Sequence, residues 1–362
     1  MIYLDYQATT PLAPEARAAM LPWLDGPEGA GFANPHSPHR PGRAAAAAVE
    51  HARDQVAALF PPGGRVIFTS GATEALNLAI LGTAAAGRRA GLTVSAIEHA
   101  AVLETARATR EAVTVVPVGP AGLVDPKADL RRPGLVAVMQ VNNEIGTLQP
   151  VGELADAAHR AGALFLCDSV QGAGKIAPPE GADLIAVSAH KLHGPKGIGA
   201  LWVRDGVAIA PVMHGGGQEQ GLRSGTLSPA LCAGFGAAAA LAIAQRDSDS
   251  RHVAALWREA TAVLADWTIN GDPDTRWHGN LNIRRQGLDA ARLLSDLREI
   301  AFSAGSACAS GSGRPSHVLS AIGLVPAQAK SSIRLGFGRY TTVDDLRRAA
   351  VAISASARAQ RR

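Results

Sequence analysis

Several common protein classes are excluded by what this sequence lacks. Only three cysteines, Cys167, Cys232 and Cys308, occur in 362 residues. They are too few and too scattered for a disulfide framework or a thiolate metal site, and such usage fits a reducing compartment. The most apolar stretch, residues 231–244, is about 14 residues long, short of the ~20 that a membrane helix needs. It reads as a buried helix, and no membrane association is expected. Residues 1–12 carry Asp5 and no basic start leading into an apolar run, so no secretory signal is expected and a cytoplasmic location is. Neither P-loop spacing nor a dinucleotide fingerprint follows the first strand pattern. His190 and His193 have no carboxylate or thiol at useful spacing, so no metal is expected. The net charge is only +4, and the basic residues are dispersed apart from some concentration at Arg347, Arg348, Arg358, Arg361 and Arg362. That concentration reads as a charged C-terminus rather than a nucleic-acid patch.

What is present is a long chain with 47% hydrophobic and 18% charged residues, enough to bury a large core and a smaller one. Helical spacing recurs over residues 42–60, 73–86 and 153–161. Between and beyond these lie short apolar runs at 65–68, 92–96, 113–118, 135–140, 163–167, 184–187 and 199–203. The alternation predicts an α/β fold whose seven-stranded, mostly parallel sheet is covered on both faces. After Gln245 the texture changes. A charged break at 247–251 precedes a helix pattern at 252–264, a strand pattern at 279–283 and a helix pattern at 289–299. The expected division is a large domain over 13–245 and a smaller α+β domain over 246–362, with residues 1–12 packing near the latter.

Polar residues follow the ends of five of the apolar runs: 69–73, 98–99, 142–144, 168–171 and 188–191. In open α/β sheets ligands bind outside the carboxyl ends of strands, so five such clusters describe one converging site. Ser70, Gly71, Ala72, Thr73 and Glu74 open a helix, where unpaired backbone N–H groups suit a phosphate; the same residue types also serve as an ordinary helix cap. Lys191 directly follows an apolar strand in Ser188-Ala189-His190-Lys191, the dry setting that a Schiff-base lysine requires. Lys196, in a Gly-Pro-Lys-Gly turn, reads as solvated. Asp168 ends a buried strand and needs a positive or donor partner. Gln171 lies three residues beyond Asp168, and Asn143 and His99 follow other strands; taken singly, each also reads as a structural residue. Cys308 lies in a run of small residues from Ser303 to Gly313, where a thiol gains almost no packing. Such a thiol suits a nucleophile that reaches into a site and carries cargo away. Cys167 and Cys232 sit in apolar runs and read as inert core residues.

Taken together, Tyr3-Leu4-Asp5-Tyr6-Gln7-Ala8-Thr9-Thr10-Pro11, Ser188-Ala189-His190-Lys191, Gly305-Ser306-Ala307-Cys308 and Ser331-Ser332-Ile333-Arg334-Leu335-Gly336 resemble the cysteine desulfurases. These belong to the class V aminotransferase superfamily, fold type I of the pyridoxal-phosphate enzymes. The cysteine motif resembles the long-loop group that serves nitrogenase and general iron–sulfur cluster assembly. The resemblance implies conversion of L-cysteine to L-alanine with sulfur transferred to Cys308 as a persulfide, the cysteine loop spanning 303–316. The alternative is a class V aminotransferase or selenocysteine lyase without dedicated sulfur delivery, which has no need of Cys308. By the same resemblance Lys191 carries pyridoxal 5'-phosphate, Asp168 pairs with its pyridine nitrogen and His99 stacks on the ring. Asn143 and Gln171 hold the ring hydroxyl. Ala72, Thr73, Ser188 and His190 bind the phosphate, with Thr226 contributed across a homodimer interface. Arg334 clamps the substrate carboxylate, assisted by Asn34, and a sulfur-acceptor protein is the expected partner.

Overall fold

The computed structural model describes residues 1–360 except 28, 30, 88–90, 110, 132 and 306–315. Its largest sheet has seven strands: Gly64–Thr69 (β1), Leu92–Ser95 (β2), Val113–Val116 (β3), Leu135–Ala137 (β4), Leu164–Asp168 (β5), Leu184–Ser188 (β6) and Gly199–Arg204 (β7). Their spatial order is β1-β7-β6-β5-β4-β2-β3. β3, β2, β4, β5 and β6 pair in parallel, whereas β7 runs antiparallel to both its neighbours. All seven apolar runs marked in the sequence become strands of this sheet.

The continuous apolar runs follow from burial on both faces. In β5, Leu164 and Leu166 turn to one side, where they share a core with Leu76, Ile80 and Val102 of the helices Ala72–Ala85 and Ala100–Ala108. Phe165 and Cys167 turn to the other, packing with Val49 and Val56 of Arg40–Ala57 and with Phe235. A period of two therefore feeds two cores from one strand.

A second sheet contains Thr268–Ile269 (β8), Asn280–Arg284 (β9), Ser303–Ala304 (β10) and Ser332–Gly336 (β11), antiparallel throughout in the order β10-β11-β9-β8. Leu281, Ile283, Ile333 and Leu335 face Leu346 and Ile353 of the helix Val343–Ala359. Ile2–Tyr3 pairs in parallel with Ile300–Ala301, and the fully buried Leu4 joins this same core.

One sequence expectation fails. The charged stretch at 247–251 is not a break but lies inside a single helix, Pro229–Val263. No glycine or proline interrupts residues 237–263, so nothing there removes a backbone hydrogen bond. Phe235, Ala239 and Ala242 serve one core, and Val253, Leu256 and Ala260 serve the other. The charged turn between them is where the helix crosses from one core to the next, and Asp249 is held there by Arg339 at 2.6–3.1 Å.

Candidate active site

The polar strand ends meet at a cavity of about 510 Å³. Its floor begins where β1 gives way to the helix Ala72–Ala85. No side chain caps that helix, and Ala72 and Thr73 line the cavity, so the unpaired N–H groups of the first turn are presented to it. β7 passes close beneath: a Cβ on Gly199 would lie 2.6 Å from the Val187 carbonyl and 2.7 Å from the Gly71 carbonyl carbon. Only glycine fits there. Glu74 does not repel an anion from this turn, because Arg223 binds it at 2.7 Å and the Ser70 N–H donates to it at 2.8 Å. Burial opposes ionising Glu74, but these hydrogen bonds outweigh it and hold the carboxyl below its usual range.

β5 delivers Asp168, only 6% exposed, to the same cavity. Its Oδ1 accepts the Val170 N–H at 3.0 Å. Burial raises its pKa, against the opposing pull of His99, the Val170 N–H and Lys191. A carboxylate so placed has most to gain from a cationic or N–H partner within the cavity. His99 caps the helix Ala100–Ala108, its Nδ1 accepting the Ala101 N–H at 3.1 Å. The proton of the neutral ring is thereby assigned to Nε2, and burial lowers the pKa so that the neutral form prevails, though the Asp168 charge opposes this.

After β6, Ser188 lines the cavity and the short helical turn Ala189–Lys191 sends Lys191 into it. Lys191 Nζ donates to the carbonyls of Gln7 at 2.5 Å and Ala8 at 2.9 Å. His190 also lines the cavity, with Nδ1 3.1 Å from Thr9 Oγ1. Burial, with the charge of Lys191 next, pushes its pKa down to about 4. Gln171 donates to the Gln7 carbonyl at 3.0 Å, and its buried Oε1 has no partner among the described residues. Asn143 stands beside Arg334, whose Nη1 donates to the Asn143 carbonyl at 3.0 Å. Arg334 is 1% exposed. Its Nη2 binds Asp5 Oδ1 at 2.8 Å, and its buried Nε has no partner among the described residues.

Ten of the expected residues thus line one cavity, namely Ala72, Thr73, His99, Asn143, Asp168, Gln171, Ser188, His190, Lys191 and Arg334, joined by Gly71 of the same turn. Asn34 and Thr226 do not; both are exposed, and Asn34 Oδ1 is engaged by the His36 N–H at 2.9 Å. Cys308 lies outside the described residues, but the chain on either side is fastened near the cavity. Ser303 donates to Asp5 Oδ1 at 2.9 Å, and Ser316 donates to Glu144 Oε2 at 2.5 Å. Cys167 and Cys232 are buried core thiols. Burial pushes Cys232 up to about 12 and Cys167 well above the ordinary thiol range, so neither forms a thiolate near neutral pH.

Sequence reasoning missed Gln7 and Ala8, which act through main-chain carbonyls and so carry no residue-type signal. Glu98, marked in the sequence only as part of the cluster at 98–99 and given no role, is fully buried and electrostatically coupled to Asp168. Lys196 is the exposed turn residue that was expected, and it also lines the cavity mouth.

The donor set fits pyridoxal 5'-phosphate. A helix N-terminus would answer the phosphate, Asp168 a protonated ring nitrogen, and Lys191 would supply the amine, with the neutral His99 ring lining the wall. The family described as aminotransferase class-V matches residues 2–348. A cysteine desulfurase IscS of Rickettsia bellii is 40% identical over 95% of this chain and 88% of its own. A mitochondrial cysteine desulfurase of Arthroderma benhamiae is 43% identical over 95% of this chain and 72% of its own. Among solved structures, a NifS-like protein from Rickettsia africae superposes with a TM-score of 0.87 at 30% identity, covering 98% of this chain and 99% of that one. A structure described as SspA in complex with cysteine superposes with a TM-score of 0.81 at 32% identity, covering 94% and 100%. With the fold, the site and these relatives in agreement, the chain belongs to the class-V aminotransferase family, on its pyridoxal-phosphate-dependent cysteine desulfurase branch.

Proposed function

We propose that the protein takes the sulfur of L-cysteine onto Cys308 as a persulfide and releases L-alanine, with Lys191 carrying the cofactor. The observation that supports this most is the meeting of Lys191, Asp168, His99 and Arg334 at the mouth of one uncapped helix. The cofactor supplies an electron sink for charge developing at the substrate α-carbon.

The chain's own residues do the rest. Asp168 Oδ atoms would hold a proton on the ring nitrogen of the bound cofactor. Ala72, Thr73, Ser188 and the neutral His190 would hold the phosphate, and Asn143 and Gln171 would hold the ring hydroxyl. Arg334 orients the substrate carboxylate with the N–H that its other partners leave over; Asn34, which does not line this cavity, would assist only from a second copy. Lys191 Nζ moves protons at the substrate carbons, and His99 Nε2 exchanges a proton with the substrate thiol. The Cys308 thiolate attacks the substrate sulfur. An S–S bond forms, the C–S bond breaks, and the carbon that loses sulfur takes a proton in its place. One sulfur atom changes owner, and no outside oxidant is required.

The exposed Thr226 is assigned to the phosphate site of a second copy, giving a homodimer. The two-domain division near residue 245, a cytoplasmic location and a sulfur-acceptor protein serving iron–sulfur cluster assembly belong to the same reading. The test is to incubate the holoenzyme and its Cys308→Ala variant with L-cysteine and a reductant, measuring sulfide and alanine. Equal sulfide and alanine from the parent, and little of either from the variant, are expected. Undiminished sulfide from the variant would remove Cys308 from the reaction.

A further inference from the structure

Lys175 is a half-buried titratable group with no task in the reaction outlined above. Lys175 follows Gly174, whose φ of +72° turns the chain back after Gln171. Its side chain lines a second, smaller cavity of about 40 Å³, together with Tyr6, His193, Asp249 and Arg339. Gln7 lines both cavities, and its carbonyl is the one that accepts Lys191 Nζ at 2.5 Å. One stretch of backbone therefore stands between the two lysines.

Among the described residues, the surroundings of Lys175 hold no anion for it. Asp249, the acid on its cavity wall, is taken up by three hydrogen bonds from Arg339. His190 and His193 face it but are neutral, each pushed down to about 4 chiefly by burial. Tyr6 is kept protonated by burial, and Lys196 is exposed at the mouth of the larger cavity. The charge that Lys175 does meet is that of Lys191: burial first, and Lys191 second, push its pKa down to about 7. A cation set beside another with no anion between them costs stability. It is also a recognised way to keep an amine unprotonated and reactive.

We propose that Lys175 is a positioning residue for Lys191: a charge behind the Gln7 backbone that disfavours a proton on Lys191 Nζ and keeps that nitrogen available as nucleophile and base. The coupling is reciprocal, so each amine disfavours a proton on the other. This rests on the reading that Lys191 carries the cofactor.

The test is a pH titration of the visible absorbance of the holoenzyme, which reports the proton on Lys191 Nζ, in the parent, Lys175→Met and Lys175→Arg. Removing a like charge raises the neighbour's pKa, so Lys175→Met titrates about one unit higher and Lys175→Arg stays close to the parent. An unshifted Lys175→Met overturns the inference. If that variant does not fold, competitive acetylation of the parent holoenzyme across the same pH range decides. Half-maximal reactivity of Lys175 near neutrality supports the inference, and reactivity confined to the ordinary lysine range, near 10.4, overturns it. Borohydride reduction and peptide mapping read the parent assignment separately. Cofactor fixed on Lys191 with no shift in Lys175→Met removes this inference alone, whereas cofactor fixed on another lysine removes both.

Discussion

Asp5→Asn isolates the contribution of one negative charge to the substrate end of the site. The Arg334 side chain is 1% exposed and that of Asp5 20%. Three acceptors hold the guanidinium: Asp5 Oδ1 at 2.8 Å, the Asn143 carbonyl at 3.0 Å and Ser303 Oγ at 3.4 Å. Asparagine keeps the size and one carbonyl oxygen, so no cavity opens and only the charge is lost. A charge-assisted hydrogen bond contributes about 1.5–3 kcal/mol, and stranding one partner of a buried pair costs about 3–5 kcal/mol. Two other acceptors and partial access of water at Asp5 reduce the second figure, so about 2–3 kcal/mol is expected. For a chain of 362 residues the unfolding entropy is about 0.8 kcal/mol/K, which makes this a fall of roughly 3–4 °C in the melting temperature of the apoprotein. Asp5 also competes with a substrate carboxylate for Arg334, so the KM for L-cysteine falls in the variant even as the fold weakens. A melting temperature within about 1 °C of the parent would refute the first half of this reasoning. A raised KM would refute the second.

Glu98→Gln addresses a buried acid. Burial, with the charge of Asp168 next, holds the Glu98 carboxyl well above its usual range, so the folded state binds a proton that the unfolded chain releases. Stability from this group is complete below the unfolded carboxylate pKa and is lost as pH rises toward the folded value. Glutamine can still accept the Met139 N–H that Oε1 now takes at 2.8 Å. The variant's melting temperature should therefore fall less than the parent's between pH 5 and pH 9, and parallel profiles would contradict the assignment. Gly199→Ala places a Cβ against the backbone of Val187 and Gly71. It should cost about 1–3 kcal/mol and, by moving the phosphate turn, weaken cofactor retention on dialysis about tenfold; unchanged retention would mean that the turn moves independently of β7.

The large sheet was legible because strands buried on both faces must be continuously apolar, as Leu164 to Cys167 are, while the helices between them repeat at 3.6 residues. The site was legible in part for a related reason. Asp168, Lys191 and His99 each sit where an apolar run stops, and a polar group at such a point is expensive unless something answers it. The helix over 229–263 was not legible, because a charged turn reads alike in a helix and in a loop; only the two cores that the helix joins distinguish them. Asn34 and Thr226 were assigned by resemblance, and one chain does not bring either to the cavity.

By itself, then, the sequence determined the layered α/β class, the chemical groups at the strand ends and the inertness of Cys167 and Cys232, since each follows from local pattern and burial. Tertiary structure alone decided which distant groups meet. The carbonyls of Gln7 and Ala8 reach Lys191 across more than 180 residues, Asp5 closes on Arg334 from the opposite end of the chain, and Lys175 comes to lie behind Gln7. Backbone carbonyls look the same at every position, and the balance of charge around a lysine depends on what packs against it. Neither is written in the order of residues.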